Sequence, residues 1–198
     1  MTLLLDQRGS DIPITEGVVK AAAGNRYHGK EVMTLLLNQR GGDIPITKGV
    51  VKAAAGNRGR GKEVMTLLLN RRGGDVLITK GVVEAVAGNR YHGKEIMTLL
   101  LDRRGGNILI TEGVVKAVVG NWDNGKEIIT LLFNRRGGNV PITEGVVKAA
   151  AGNWWSGKII MNILLDQRGG DVPITKGVVK AAAENRNCGK EIMTLLLD

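Results

Sequence analysis

The sequence predicts an all-α chain, an elongated α-solenoid of about six stacked two-helix units of 32 residues. Three observations predict it. One phrase recurs with Thr15, Thr47, Thr79, Thr111, Thr143 and Thr175 each 32 positions apart, the mark of a repeat array. Within the phrase the apolar residues fall at helical spacing. Glycine makes up 29 of 198 residues and punctuates the helical stretches. With only 4 Pro, the chain is neither collagen-like nor a Pro-rich linker.

The first unit shows each element. Thr15 suits an N-cap, and Ile14 before it can staple onto Val19. Val18, Val19, Ala22 and Ala23 share one face of a first helix. Gly24 and Asn25 are expected to end it, because both tolerate the left-handed conformation. Gly29 opens a second helix with an apolar stripe of Val32, Met33, Leu36 and Leu37, widened by Leu35. Arg40 falls in its last turn, favourable to the helix dipole, and Gly41-Gly42 stops it. Asp43-Ile44-Pro45-Ile46 reads as an extended link to the next Thr.

Helices of roughly ten residues are marginal alone, so the units must stack. The first helices, faced with Ala, Val and Gly, are expected on the concave side. At ~8–10 Å between stacked helices, six units span roughly 50–60 Å. The structural rival is a leucine-rich horseshoe with the Ile-x-Ile link as its strand. A two-helix unit would hold successive links about 10 Å apart, too far for the ~4.8 Å spacing of a ladder.

The chain divides as one array: a partial unit 1–10, units 11–42, 43–74, 75–106, 107–138 and 139–170, and a truncated unit 171–198. Met1–Asp6 and Met193–Asp198 are both Met-Thr-Leu-Leu-Leu-Asp, so the sequence starts and stops inside the same element. It therefore reads as a segment of a longer array. The expected consequence is apolar faces at both ends, with Leu3, Leu4 and Leu5 at one and Ile192, Met193 and Leu196 at the other. Such faces would allow head-to-tail self-association.

Composition narrows the class. At 43% apolar and 24% charged the chain can bury a core. A single Cys excludes a disulfide framework. The apolar runs are too short to cross a membrane, and the N-terminus turns acidic too soon for a signal peptide. The expected setting is the cytoplasm, with the nucleus as alternative. A net charge of +9 permits an acidic partner without demanding one.

The six copies differ mainly in one triplet, between the Asn that follows the first helix and the Gly that opens the second. It reads Arg26-Tyr27-His28, Arg58-Gly59-Arg60, Arg90-Tyr91-His92, Trp122-Asp123-Asn124, Trp154-Trp155-Ser156 and Arg186-Asn187-Cys188. Every Trp, both Tyr, both His and the only Cys lie there; only Phe133 among the aromatics lies elsewhere, in a Leu slot. Trp, Tyr and Arg dominate binding hot spots, so partner binding is expected at Arg26, Tyr27, His28, Arg58, Arg60, Arg90, Tyr91, His92, Trp122, Trp154, Trp155 and Arg186. The competing reading is drift, with each Trp lying as a lid over its neighbour.

The charges say less. Lys30, Lys62, Lys94, Lys126, Lys158 and Lys190 follow the Gly and could contact anions at helix N-termini, but Glu follows five of them. Arg8, Arg40, Arg72, Arg104, Arg136 and Arg168 are expected to serve helix ends in a solvated row. The residue after the capping Thr is Glu or Lys, and this indifference to sign suggests solvent.

No catalytic constellation is visible, so the expectation is a non-enzymatic chain without cofactor or metal. His28 and His92 sit two units apart, roughly 20 Å by stacking distance, too far to share a metal ion. Cys188 has no partner Cys, and the phosphate-loop and dinucleotide glycine patterns are absent.

The phrase Ile-Thr-x-x-Val-Val-Lys-Ala-Ala-Ala-Gly-Asn, followed by Gly-Lys-Glu-Val-Met-x-Leu-Leu-Leu, resembles repeats of fungal proteins that carry NACHT-type NTPase modules or ankyrin arrays. The resemblance covers all six units and departs at Gly17 and its equivalents, where Glu would be expected. It implies the recognition array of a receptor-like protein acting in innate immunity. More loosely, Thr-x-x-Val-Val…Asn-x-x-x-Gly-Lys is similar to the repeats of transcription-activator-like effectors. That likeness implies loop triplets facing bases and the Lys row facing phosphates. Trp154-Trp155 is bulky for reading a base edge, and most of the basic excess sits in the unit 43–74, around Arg58, Arg60, Arg71 and Arg72. A duplex binder should spread its phosphate contacts. The sequence thus favours a scaffold binding a protein or peptide, ahead of a nucleic-acid solenoid or a passive spacer.

Overall fold

A computed structural model describes residues 12–197. Among them are twelve α-helices and no strand, which removes the horseshoe. First helices are α1 (Glu16–Gly24), α3 (Lys48–Gly56), α5 (Lys80–Ala87), α7 (Glu112–Val119), α9 (Glu144–Ala151) and α11 (Lys176–Ala183). Second helices are α2 (Gly29–Arg40), α4 (Gly61–Arg72), α6 (Gly93–Arg104), α8 (Gly125–Arg136), α10 (Gly157–Arg168) and α12 (Gly189–Leu197). The architecture is that of a helical-repeat solenoid. The chain forms two compact units, one up to Ala85 and one from Val86.

Thr starts the first helices as its spacing predicts. Thr15, Thr47, Thr111, Thr143 and Thr175 each have extended backbone and accept a hydrogen bond from the amide three residues on. In the first compact unit α1 packs on α3 and α2 on α4; in the second, α7, α9 and α11 pack in one layer and α6, α8, α10 and α12 in the other. The core between the layers is made of the expected stripes. Val50, Val51, Ala54 and Ala55 are buried on α3, and Val64, Met65 and Leu68 on α4.

Two glycine positions have distinct reasons. The residue opening each second helix is buried where that helix crosses the first. A Cβ at Gly93, Gly125 or Gly189 would stand 2.8, 2.6 or 2.5 Å from the carbonyl oxygen of Val86, Val118 or Ala182. The stop after the second helix uses backbone freedom in three repeats, where Gly41, Gly137 and Gly169 have φ of 45, 49 and 50°, while Gly73 and Gly105 stay in the right-handed region. The link then begins with a 3₁₀ turn such as Gly41–Asp43 before it extends at Ile44.

Asn does not end the first helix in the expected way. Asn25 and Asn57 have φ of −68°, and no non-glycine residue among those described has positive φ. The Asn works through its side chain. Its Oδ1 accepts the amides two and three residues on, which shapes the loop: Asn57 holds Gly59 and Arg60 at 2.9 and 3.0 Å. Its Nδ2 donates to the preceding repeat, at 2.9 Å to both the Ala23 and Asn25 carbonyls. Asn121, Asn153 and Asn185 repeat this reach to Ala87, Val119 and Ala151. All four side chains are buried and therefore need these partners.

The described arginines of the row are half-buried and not solvated: Arg40, Arg72, Arg136 and Arg168 reach link backbone about one period earlier, while Arg8 lies outside the described residues. Arg40 donates to the Ile12 carbonyl at 3.1 Å, Arg136 to Ile108 at 3.0 Å and Arg168 to Val140 at 2.8 Å. Arg72 reaches the Gly41 carbonyl at 2.7 Å. Each guanidinium satisfies backbone that the link leaves unpaired. The position after the capping Thr is not indifferent either. Where it is Glu, it accepts the hydroxyl of the next repeat's Thr, Glu16 from Thr47 and Glu144 from Thr175, both at 2.7 Å.

Of the expected terminal faces, Leu3, Leu4 and Leu5 lie outside the described residues. At the other end Ile192 is buried, contrary to expectation, because it packs inward on α12; Met193 and Leu196 are half-buried and Leu197 is exposed.

Candidate functional site

The variable triplets form the loops between first and second helices, and the Asn before each triplet gives every loop the same course. Three positions within the loop differ in what they can reach. The second is the most open where it is aromatic, Tyr27, Tyr91 and Trp155 exposing 74, 61 and 75% of their surface, whereas Gly59 is half-buried against the Arg26 carbonyl. The first is exposed or half-buried; Trp122 and Trp154 keep 50 and 53%. Arg26, Arg58 and Arg186 are exposed and Arg90 is half-buried.

The third position turns toward the preceding loop. Arg60 donates from Nε to the Tyr27 carbonyl at 3.2 Å, Asn124 donates to the Arg90 carbonyl, and the Cys188 thiol points at the Trp154 carbonyl at 3.8 Å. Ser156 is buried, His92 half-buried and His28 exposed. The physical cause is register: within each compact unit the Asn ladder brings a loop beside the one before it, and the third residue is next to the buried Gly. Arg60 also pairs with Glu63 at 3.6 Å.

Neighbouring loops touch through side chains too. The Arg90 guanidinium lies over the Trp122 ring, 4.4 Å from its centroid. This is a cation–π contact between consecutive repeats. Trp122 is thus partly a lid, as the drift reading holds, yet half of its surface stays open. Tyr91, Trp122, Trp154 and Trp155 all belong to loops of the second compact unit.

The Lys row is exposed throughout, at Lys30, Lys62, Lys94, Lys126, Lys158 and Lys190. Lys30 and Lys62 line a shallow groove of about 350 Å³ with Glu63, Thr66, Leu67 and Asn70. The Glu63 carboxylate opposes an anion there. The basic cluster of the unit 43–74 is largely occupied by the chain itself. Besides Arg60, Arg71 donates to Asn38 at 3.3 Å, and Arg72 pairs with Asp75 at 2.7 Å. Among the described residues no group of His, Cys, Asp and Glu could hold a metal ion, and no helix is long and apolar enough to cross a membrane.

A family model described as a domain of unknown function, DUF7104, matches the chain six times in tandem, over residues 3–33, 35–65, 67–97, 99–128, 131–161 and 163–193. The chain belongs to the DUF7104 family. No curated protein and no solved structure gives a significant match. The DUF7104 unit has the same period in another phase. Its second copy, 35–65, begins inside α2 and runs through link, α3 and loop into α4. That frame keeps each buried Asn and its following loop inside one copy, and it joins α2 to α3 through the link that Arg72 clamps at Gly41.

Sequence reasoning missed the Asn and Arg rows as ties between repeats. The signal was present: Asn25, Asn57, Asn89, Asn121, Asn153 and Asn185 never vary, although a helix stop accepts other residues.

Proposed function

We propose that this chain is a non-enzymatic repeat scaffold that binds a protein or peptide through the exposed first and second positions of its inter-helix loops. One observation carries the reading. Large aromatics stand half to three-quarters exposed on loops whose backbone is held by buried hydrogen bonds. Exposing such side chains costs solubility, whereas a rigid loop presenting Trp, Tyr and Arg is what a binding hot spot requires. The resemblance to fungal NACHT- and ankyrin-type receptors supports a place for this array as the recognition segment of a larger cytoplasmic receptor. Internal pairing of Arg60, Arg71 and Arg72 weighs against the nucleic-acid reading.

The test is a random peptide display selected on the wild-type array and on a variant with Tyr27, Tyr91, Trp122, Trp154 and Trp155 all changed to Ser. Enrichment of a shared motif by the wild type, lost in the variant, supports the reading. Equal enrichment by both arrays removes it.

A further inference from the structure

Three consecutive loops of the second compact unit, Arg90-Tyr91-His92, Trp122-Asp123-Asn124 and Trp154-Trp155-Ser156, carry an aromatic platform, and the next loop, Arg186-Asn187-Cys188, ends the row with an arginine. We propose that this platform binds a polyproline II segment of a proline-rich polypeptide, one helical turn per repeat, with an acidic residue at the Arg186 end. The inference rests on the loop-binding reading above and names its ligand class.

Period is the first argument. Consecutive loops follow the helix stacking, at ~8–10 Å. A polyproline II helix advances about 3.1 Å per residue with three residues per turn, close to 9.3 Å per turn. Residues three apart in such a ligand therefore meet equivalent positions of consecutive loops. An α-helical ligand rises about 5.4 Å per turn and falls out of step. Surface chemistry is the second. Tyr91, Trp122, Trp154 and Trp155 are half to three-quarters exposed, with one face of Trp122 covered by Arg90, and proline-rich segments dock on aromatic-lined surfaces.

Rigidity is the third. Asn124 ties its loop to the Arg90 carbonyl, Asn153 holds its loop to Val119, Cys188 approaches the Trp154 carbonyl, and Arg90 fixes the Trp122 ring. A preformed surface meeting a preformed ligand loses little conformational freedom on binding. Charge sets the direction. Arg186 is exposed at one end of the row, Arg90 at the other is half-buried and lies over the Trp122 ring, and exposed Asp123 opposes an acidic residue at the centre.

The chain's 3 Trp all lie on this platform, so intrinsic fluorescence reads it without a label. The probe is a synthetic peptide of about twelve residues, with Pro at every third position and Glu at one end, long enough to cross four loops. Comparators are the same peptide with Gly for Pro, one with Lys for Glu, a β-linked glucan oligosaccharide and a short DNA duplex. The expected result is a saturable emission change with the Pro peptide at least about ten-fold tighter than with its Gly form. Trp154→Ser weakens it about ten-fold or more, the loss typical of a hot spot, with the circular-dichroism melt unchanged. Arg186→Glu reverses the preference between Glu- and Lys-ended peptides.

Equal binding of the Gly form, tighter binding of glucan or duplex, or no saturation by about 1 mM overturns the inference. If it fails while peptide display still returns a loop-dependent motif without proline, the general binding reading stands and only the ligand class is wrong. If display also returns nothing, both fall.

Discussion

Asn153 donates its side-chain amide to the carbonyl of Val119, 34 residues earlier, at 2.7 Å, while its Oδ1 accepts the amides of Trp155 and Ser156, both at 3.0 Å. One buried side chain thus shapes a loop and binds it to the neighbouring repeat. Asn153→Ala leaves a buried carbonyl and two loop amides unpaired. The expected loss is about 1–3 kcal/mol by denaturant unfolding. Asn153→Asp keeps the acceptor but turns a buried anion toward a carbonyl. It should be at least as damaging at neutral pH and recover toward wild type as the carboxyl protonates, since the protonated form can donate again. An Asp variant as stable as wild type at pH 7 removes the assigned donor role.

Gly125 marks how closely α7 and α8 approach. A Cβ there would stand 2.6 Å from the Val118 carbonyl oxygen, a backbone atom that cannot swing away. Gly125→Ala should cost about 1–3 kcal/mol, the range for overpacking. Gly106 has nothing within 4 Å of its would-be Cβ, and Gly106→Ala should fall within about 0.5 kcal/mol of wild type. Similar melting temperatures for the two variants would show that α7 and α8 have room to part.

Leu68 is fully buried on α4. Leu68→Ala should cost about 2–5 kcal/mol, as for other buried leucines. A loss below about 0.5 kcal/mol would place Leu68 on an open face.

The helical elements were legible because they are local. A capping Thr, an apolar stripe and a stopping glycine act within a few residues of one another, and the structure returns them where the spacing put them. The unvarying Asn marked a constrained position, but its partner was not legible because donor and acceptor are about one period apart and the acceptor is backbone. No residue type signals a carbonyl 34 positions earlier. Arg40 and Asn25 each had an adequate local explanation, as a dipole partner and a helix stop, and local adequacy hid the non-local role. The triplets were found by comparing copies. Their division into two outward positions and one inward position required the register between loops, which only stacking defines.

Glu112 bonds Lys116 at 2.6 Å and accepts the Thr143 hydroxyl, and these hydrogen bonds hold its carboxyl below the ordinary value of 4.5. The sign follows from linkage. A carboxyl with lowered pKa in the folded state adds stability above its unfolded pKa and loses it as pH falls through the folded pKa. Glu112→Gln should therefore lower the melting temperature slightly at pH 7 and leave it equal to wild type well below the carboxylate range. A gap that persists unchanged at low pH would mean that the side chain acts by packing and not by charge. The carboxylate is solvent-exposed, so the neutral-pH gap should also shrink in high salt.

Arg90 and Trp122 link two consecutive loops through a cation over a ring, 4.4 Å from the centroid. Exposed pairs of this kind contribute about 0.5–1 kcal/mol. A double-mutant cycle with Arg90→Ala and Trp122→Ala isolates the term, because each substitution removes the same contact and neither side chain is buried. The expected coupling is about 0.5 kcal/mol or somewhat more, with Trp122 emission in Arg90→Ala moving toward that of a freely rotating indole. Arg90→Lys keeps the charge but loses the planar group, and should retain only part of the coupling. Zero coupling together with unchanged emission anisotropy would show that the two loops present their side chains independently, and that any ligand meets four separate loops instead of one joined surface.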